Sequence, residues 1–186
     1  MPTAIRRINL FGRPGAGKST AAAEIYNALK KEKFNIELVN EYVKTWVYMG
    51  REIKSFDQVY IFGKQLHAED KILTSGVQFI VTDSPLLIQY CYATLSKDQI
   101  MDELYSMAMK FDKAFPSINI LLKGNMNSPE EYVQHGRCHD FQNSLLAGDI
   151  MDSVLEAAYP EGGIIIHHGY DYTGLIQHIK ELVNKG

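Results

Sequence analysis

The chain has 186 residues, of which 46% are hydrophobic and 22% are charged, and its formal net charge is -3 at pH 7. The length fits a single domain, and the composition is that of an ordinary globular protein. The small negative charge argues against a protein whose whole surface binds nucleic acid, and no apolar run approaches the roughly 20 residues that cross a bilayer.

Apolar runs of strand length alternate along the chain with longer stretches of helical period. In chain order, the predicted elements are a strand Ile8–Phe11, a helix Ser19–Lys33, a strand Ile36–Val39, a helix Phe56–Thr74, a strand Val77–Val81, a helix Gln99–Phe115, a strand Ile118–Leu122, a helix start at Ser128–Glu131, a helix Asp140–Ala158, a strand Gly163–His167 and a helix Tyr172–Asn184. The alternation predicts an α/β fold for residues 1–186, with three α/β/α layers around a central, mostly parallel five-stranded sheet.

Ligands of such sheets bind beyond the carboxyl ends of the strands. We therefore expect one site, formed by the residues that directly follow Phe11, Val39, Val81 and Leu122. Glycine-rich and acidic segments stand at the first three of these positions, and both types are used in phosphate chemistry.

The segment after the first predicted strand, Gly12–Ser19, satisfies the pattern G-x-x-x-x-G-K-[ST] in full. Its glycines let the backbone curl around phosphate oxygens, and the following helix N-terminus adds a positive dipole. Lys18 can reach the β- and γ-phosphates, and the Ser19 hydroxyl can bind Mg²⁺. The residues expected to bind ATP are Gly12, Arg13, Pro14, Gly15, Ala16, Gly17, Lys18, Ser19 and Thr20.

Acidic residues follow two other predicted strands. Asp83 can hold the metal together with Ser19, and the alternative is that it caps a helix beginning near Pro85. Glu41 can take the proton from an attacking hydroxyl, and the alternative is an exposed acid at a helix start. The predicted catalytic residues thus include Lys18, Glu41 and Asp83, and the predicted metal ligands are Ser19 and Asp83.

The segment 41–46, Glu-Tyr-Val-Lys-Thr-Trp, resembles the Glu-Pro-Val-x-x-Trp segment of deoxynucleoside kinases. The resemblance implies that Glu41 is the general base for a sugar hydroxyl, that Trp46 lines a nucleoside pocket and that Gln65 binds the base. Tyr42 stands where that family has proline, and Ser84 stands where it has arginine. The resemblance covers roughly the first half of the chain. The short length is also similar to that of phage-encoded P-loop kinases, some of which act on hydroxymethylpyrimidines in DNA.

Aromatic and basic side chains are frequent after Glu41. Tyr42 and Trp46 are predicted to stack on a nucleobase, because aromatic faces stack well on bases. Lys44, Arg51 and Lys54 are interpreted either as a basic rim near the acceptor, able to bind a nucleotide phosphate or DNA, or as a hydrated helix face.

Residues 124–140 lie where kinases of this class carry a mobile lid. Arg137 is predicted as the lid arginine, because a guanidinium can bind two oxygens of the transferring phosphoryl group. A solvated surface arginine is the alternative.

These features favour a kinase that uses ATP and Mg²⁺ and acts on a deoxynucleoside or nucleotide. A phage-type kinase acting on DNA and a non-kinase ATPase or nucleotide switch remain alternatives. Met1–Arg7 lacks the features of a secretory signal, and Cys91 and Cys138 show no metal-ligand spacing. We therefore expect a cytoplasmic protein without disulfides or membrane contact, for which the sequence leaves the oligomeric state open and permits a homodimer.

Overall fold

The computed structural model describes residues 5–54, 56–97, 101–124, 128–132, 140–160 and 162–185. The strands in these ranges are β1 (Arg7–Phe11), β2 (Ile36–Val39), β3 (Phe79–Thr82), β4 (Ser117–Lys123) and β5 (Ile164–His168). The helices are α1 (Lys18–Lys31), α2 (Lys44–Tyr48), α3 (Asp57–Leu73), α4 (Leu86–Leu95), α5 (Met101–Ala114), α6 (Phe141–Ala158) and α7 (Thr173–Lys185). None of the helices in these ranges has both the length and the apolar character that a membrane span requires.

The five strands form one parallel sheet in the order β2-β3-β1-β4-β5. Helical crossovers connect the strands, so parallel pairing with helices on both faces is the arrangement that the chain can adopt. The predicted three-layer α/β/α fold with five strands is confirmed. In this order β3 lies between β1 and β2, which brings the chain segments after these three strands to one edge of the sheet.

Alternating side chains of the strands build two apolar layers. On one face, Ile8 and Leu10 of β1 pack in a cluster with α1 and α7. On the other face, Phe11 packs in a cluster with residues of α3, α4, α5 and α6. Burial of both faces provides the main free energy of folding.

Three details refine the predicted elements. The short helix α2 was not predicted, because five residues are too few to show a helical period. At the predicted helix start Ser128–Glu131, the described residues form a short 3₁₀ turn, Pro129–Glu131, with Ser128 at the N-cap position and Pro129 as its first residue. Helix α4 was foreseen only as a helix starting near Pro85, because its apolar sequence, buried at seven of its ten positions, shows little periodicity.

A cluster of buried charges lies between the sheet and helices α3 and α5. Arg7 is 1% exposed, and its guanidinium donates to Glu69 at 3.4 Å and to Asp112. Burial raises the pKa of Glu69 to about 6, although the positive charge of Arg7 acts in the opposite direction. The charged form of Glu69 is therefore kept in the fold against an unfavourable desolvation free energy.

Glu69→Gln tests this burial through the pH dependence of stability. The pKa of Glu69 is about 6 in the native protein against an ordinary value of 4.5, so the native state binds the proton more tightly. Protonation of Glu69 therefore stabilises the native state. This contribution to the free energy of unfolding is fully present below pH 4.5 and is lost as the pH rises through about 6, a total change of roughly 2 kcal/mol.

We therefore expect the free energy of unfolding of the parent to fall relative to that of Glu69→Gln as the pH rises through this window, as measured by urea titration. The control variant Glu103→Gln, on an exposed position of α5, should follow the parent. If the free energies of unfolding of the parent and Glu69→Gln differed by the same amount at every pH, the raised pKa of Glu69 would be contradicted.

Candidate active site

The loop Gly12–Ser19 connects β1 to α1 and has the backbone of an anion cradle. Its φ angles are positive at Gly12 (147°), Gly15 (89°) and Gly17 (90°), a region that residues with a side chain rarely adopt. A Cβ atom at Gly17 would lie 2.4 Å from the hydroxyl oxygen of Tyr172, and one at Gly12 would lie 2.8 Å from the carbonyl oxygen of Leu122. Glycine is required at both positions, which fits a curled loop that holds phosphates.

Hydrogen bonds to its carbonyl groups hold this loop in place. The Lys18 ammonium donates to the carbonyl oxygens of Gly12 at 2.7 Å and Arg13 at 3.3 Å. The fully buried Ser144 of α6 donates to the carbonyl oxygen of Pro14 at 2.9 Å. The loop is therefore fixed by α1 through Lys18 and by α6 through Ser144, a contact that no sequence pattern indicated.

The segment after β5 contacts the end of the loop. Tyr172 is 1% exposed, and its hydroxyl donates to the carbonyl oxygen of Gly17 at 3.4 Å. The half-exposed ring of Tyr170 approaches Gly17 and Gly124, since Cβ atoms there would lie 3.2 Å and 2.9 Å from Tyr170 atoms. These tyrosines place an aromatic surface beside the loop.

Other predicted ATP-binding residues lie around the same loop. Arg13 lies over the ring of Phe141, the first residue of α6, with 5.9 Å from its guanidinium carbon to the ring centroid. Ala16 is buried, whereas Thr20 is exposed in the first turn of α1.

Asp83 connects the loop to the segment after β2. It is 4% exposed, and its Oδ2 accepts a hydrogen bond of 2.6 Å from the Ser19 hydroxyl. Its Oδ1 accepts one of 3.0 Å from the main-chain N–H of Glu41. No side chain caps α4 by a hydrogen bond, so the capping alternative for Asp83 is not observed. Hydroxyl and carboxylate oxygens are ligands that Mg²⁺ prefers, so Ser19 and Asp83 fit the predicted metal pair.

Glu41 lies in the electric field of the same groups. Burial raises the pKa of its carboxyl group, and the negative charge of Asp83 acts in the same direction. The positive charges of Lys18 and Lys44 lower it. The main-chain N–H of Glu41 donates to Asp83, so the Glu41 segment adjoins the predicted metal ligand, and the role of Glu41 as a base stays a prediction.

Tyr42 and Trp46 form an aromatic cluster with Tyr60. The Trp46 ring is 4% exposed and stacks on Tyr60, with ring centroids 5.8 Å apart. Tyr42 meets the edges of both rings, and its hydroxyl lies 3.2 Å from that of Tyr60. The predicted aromatic residues are thus brought together next to Glu41, although the Trp46 face is covered in this structure.

Gln65 is fully buried, and its hydrogen bonds are made inside the protein. Its Oε1 accepts from the main-chain N–H of Tyr42 at 3.2 Å, and its Nε2 donates to Glu69 at 3.3 Å and to Thr82 at 3.4 Å. In this structure Gln65 supports the backbone beside Glu41, and a role in binding a base stays a prediction.

The predicted lid lies largely beyond the described part of the chain. Arg137 falls outside the described residues, so its role also stays a prediction. Within residues 128–132, Tyr132 is buried and packs edge-on against Phe141, at 5.9 Å between centroids.

No protein-family model and no curated protein matches the sequence. Among solved structures, thymidylate kinase from Ehrlichia chaffeensis matches with a TM-score of 0.67 and 12% identity over 97% of this chain and 100% of its own. The NadR protein in complex with NR matches with a TM-score of 0.70 and 16% identity over 97% of this chain and 52% of its own. Deoxyadenosine kinase from M. mycoides, with the products dCMP and a flexible dCDP bound, matches with a TM-score of 0.59 and 18% identity over 96% of this chain and 98% of its own.

These matches show the fold. The chain shares the α/β fold of these structures, which include a thymidylate kinase and a deoxyadenosine kinase, over nearly its whole length. The expected fold class and the resemblance to small P-loop kinases are confirmed.

Gly17→Ala tests the conformation of the loop. Alanine at φ 90° is strained, and its methyl group would meet the Tyr172 hydroxyl, so we expect a loss of roughly 1–3 kcal/mol in the free energy of unfolding and weaker ATP binding. Denaturant titration and calorimetry measure the two effects. Gly174→Ala, in α7 where a Cβ meets nothing within 4 Å, is the matched control and should be neutral or stabilising.

Adding Tyr172→Phe to Gly17→Ala removes the hydroxyl from the contact and should recover part of the lost stability. A Gly17→Ala variant as stable as the parent would show that the loop conformation is wrong.

Proposed function

We propose that the protein is an ATP-dependent kinase that transfers the γ-phosphate to a hydroxyl or phosphate group of a deoxynucleoside or nucleotide. The two hydrogen bonds of Asp83 carry this proposal. One oxygen accepts from Ser19 of the phosphate loop and the other from the backbone of Glu41, so the proposed triphosphate site and the proposed base share one carboxylate. Such a link fixes the relation between two bound substrates, which transfer between them requires.

Each residue has a defined part in this chemistry. The loop and Lys18 bind the triphosphate, and Mg²⁺ held by Ser19 and Asp83 would neutralise charge on its phosphate oxygens. The acceptor oxygen forms a bond to the γ-phosphorus, and the bond from that phosphorus to the bridging oxygen breaks, which releases ADP. The proton of an acceptor hydroxyl passes to the carboxylate of Glu41, whose raised pKa makes it a better proton acceptor. A phosphate acceptor needs no base, and Glu41 then positions it.

The aromatic cluster supports a nucleoside-type acceptor. Tyr42, Trp46 and Tyr60 lie beside Glu41, and aromatic faces stack on nucleobases. Because Trp46 and Tyr60 face each other, a base that stacks on this face of Trp46 has to displace the half-exposed Tyr60. The similar structures include a thymidylate kinase and a deoxyadenosine kinase, which is in keeping with such an acceptor.

Transfer of label from γ-labelled ATP tests the proposal. The acceptors are deoxynucleosides, deoxynucleoside monophosphates and hydroxymethylated DNA, each with Mg²⁺. We expect labelled product with a free nucleoside or nucleotide. Label found only on the DNA would favour the phage-type alternative, and label found only as free phosphate would favour an ATPase and contradict the kinase.

Glu41→Gln tests the role of Glu41 as a base separately from the binding of ATP. Since the amide cannot take a proton, transfer to a hydroxyl should fall by roughly 10²–10⁴-fold, while ATP affinity stays near that of the parent. Steady-state kinetics and calorimetry give the two quantities. Glu37→Gln, on β2 before Glu41, is the control and should behave as the parent. Transfer to a hydroxyl at the parent rate by Glu41→Gln would contradict the assignment of the base.

A further inference from the structure

Two of the three basic residues after Glu41 are bound away from the phosphate loop. The guanidinium carbon of Arg51 lies 3.4 Å from the centroid of the Trp46 ring, and Arg51 also pairs with an aspartate of α3. The ammonium of Lys54 pairs with Glu52 at 2.9 Å and is largely exposed. The three residues that the sequence suggested as one basic rim therefore have different surroundings.

The third basic residue, Lys44, faces the loop. Its Nζ lies 3.5 Å from the Ser19 hydroxyl, the same hydroxyl that donates to Asp83. The ammonium of Lys44 thus lies beside one of the proposed metal ligands, on the chain segment that also carries the proposed base.

The backbone that carries Lys44 is held on both sides. Lys44 is the first residue of α2, and its neighbour Val43 is buried with Trp46 against Ile61 of α3. The preceding segment is fixed by the hydrogen bond from the Tyr42 N–H to Gln65. The backbone at Lys44 is therefore fixed, and movement of the ammonium comes from the flexible four-carbon side chain.

We propose that Lys44 is a further catalytic residue, a second lysine whose ammonium binds the transferred phosphoryl group from the acceptor segment while Lys18 binds it from the loop. This inference rests on the kinase function proposed above. During transfer the charge spreads over the phosphoryl oxygens, and a cation on each side stabilises it. Lys44 only donates hydrogen bonds: it keeps its protons, and the acceptor proton still passes to Glu41.

A competing role for Lys44 is that of a counter-ion, which neutralises the Ser19–Asp83 pair only when no metal is bound. The two roles predict opposite effects of removing the charge. A counter-ion competes with Mg²⁺, so its loss should tighten binding of Mg–ATP and leave kcat unchanged. A phosphoryl-binding lysine acts on the transition state, so its loss should lower kcat and change Mg–ATP affinity little.

Lys44→Met, which keeps much of the side-chain length without the charge, decides between them, with Lys54→Met as the matched control. We expect kcat of Lys44→Met, with the acceptor that the parent phosphorylates fastest, to fall roughly 10²–10³-fold, with the calorimetric Kd for Mg–ATP within about threefold of the parent value. Lys44→Arg should restore part of kcat, and Lys54→Met should match the parent.

A second readout does not depend on activity. ADP with Mg²⁺ and aluminium fluoride mimics the transferring phosphoryl group, so the rise in Tm that it gives the parent should be largely lost in Lys44→Met and kept in Lys54→Met. A parent-like kcat and a parent-like rise in Tm for Lys44→Met would overturn the proposal, as would tighter Mg–ATP binding with unchanged kcat. A parent that phosphorylates no acceptor would contradict the kinase function itself, and the aluminium fluoride comparison would then still decide whether Lys44 contacts the phosphoryl site.

Discussion

The candidate site depends on one buried carboxylate, that of Asp83. Because β3 lies between β1 and β2, its carboxyl end is flanked by the phosphate loop on one side and by the Glu41 segment on the other. Each oxygen of Asp83 accepts a hydrogen bond from one of these neighbours. The strand order therefore sets the distance between the proposed phosphate donor and acceptor groups before any ligand binds.

The Glu41 segment is also supported from inside the protein by polar groups whose burial opposes folding. Gln65 accepts from the Tyr42 N–H and donates to Glu69, and Glu69 in turn pairs with Arg7. Apolar side chains of similar size would avoid the desolvation of these charges. They would leave the Tyr42 N–H without its acceptor, however. The buried polar residues Gln65, Glu69 and Arg7 thus lower the stability of the fold but fix the backbone beside the site.

Much of this arrangement could be predicted from the sequence. Apolar runs of strand length predicted the five strands. Because ligands bind beyond the carboxyl ends of parallel strands, Asp83 and Glu41 were expected to lie near the motif at Gly12–Ser19. The direction of individual side chains could not be predicted, because it depends on packing between distant elements. Thus Lys44 faces the loop while Lys54 does not, and Ser144 binds the loop from a helix 130 residues away in sequence.

Asp83 is proposed to join the metal, the triphosphate and the acceptor segment, and the magnesium dependence of ATP binding tests this role most directly. Calorimetric titration of ATP with Mg²⁺ and with a chelator should show clearly tighter binding with the metal for the parent and for the exposed-site control Asp102→Ala. In Asp83→Ala that difference should largely disappear. The same magnesium dependence in Asp83→Ala as in the parent would contradict the account.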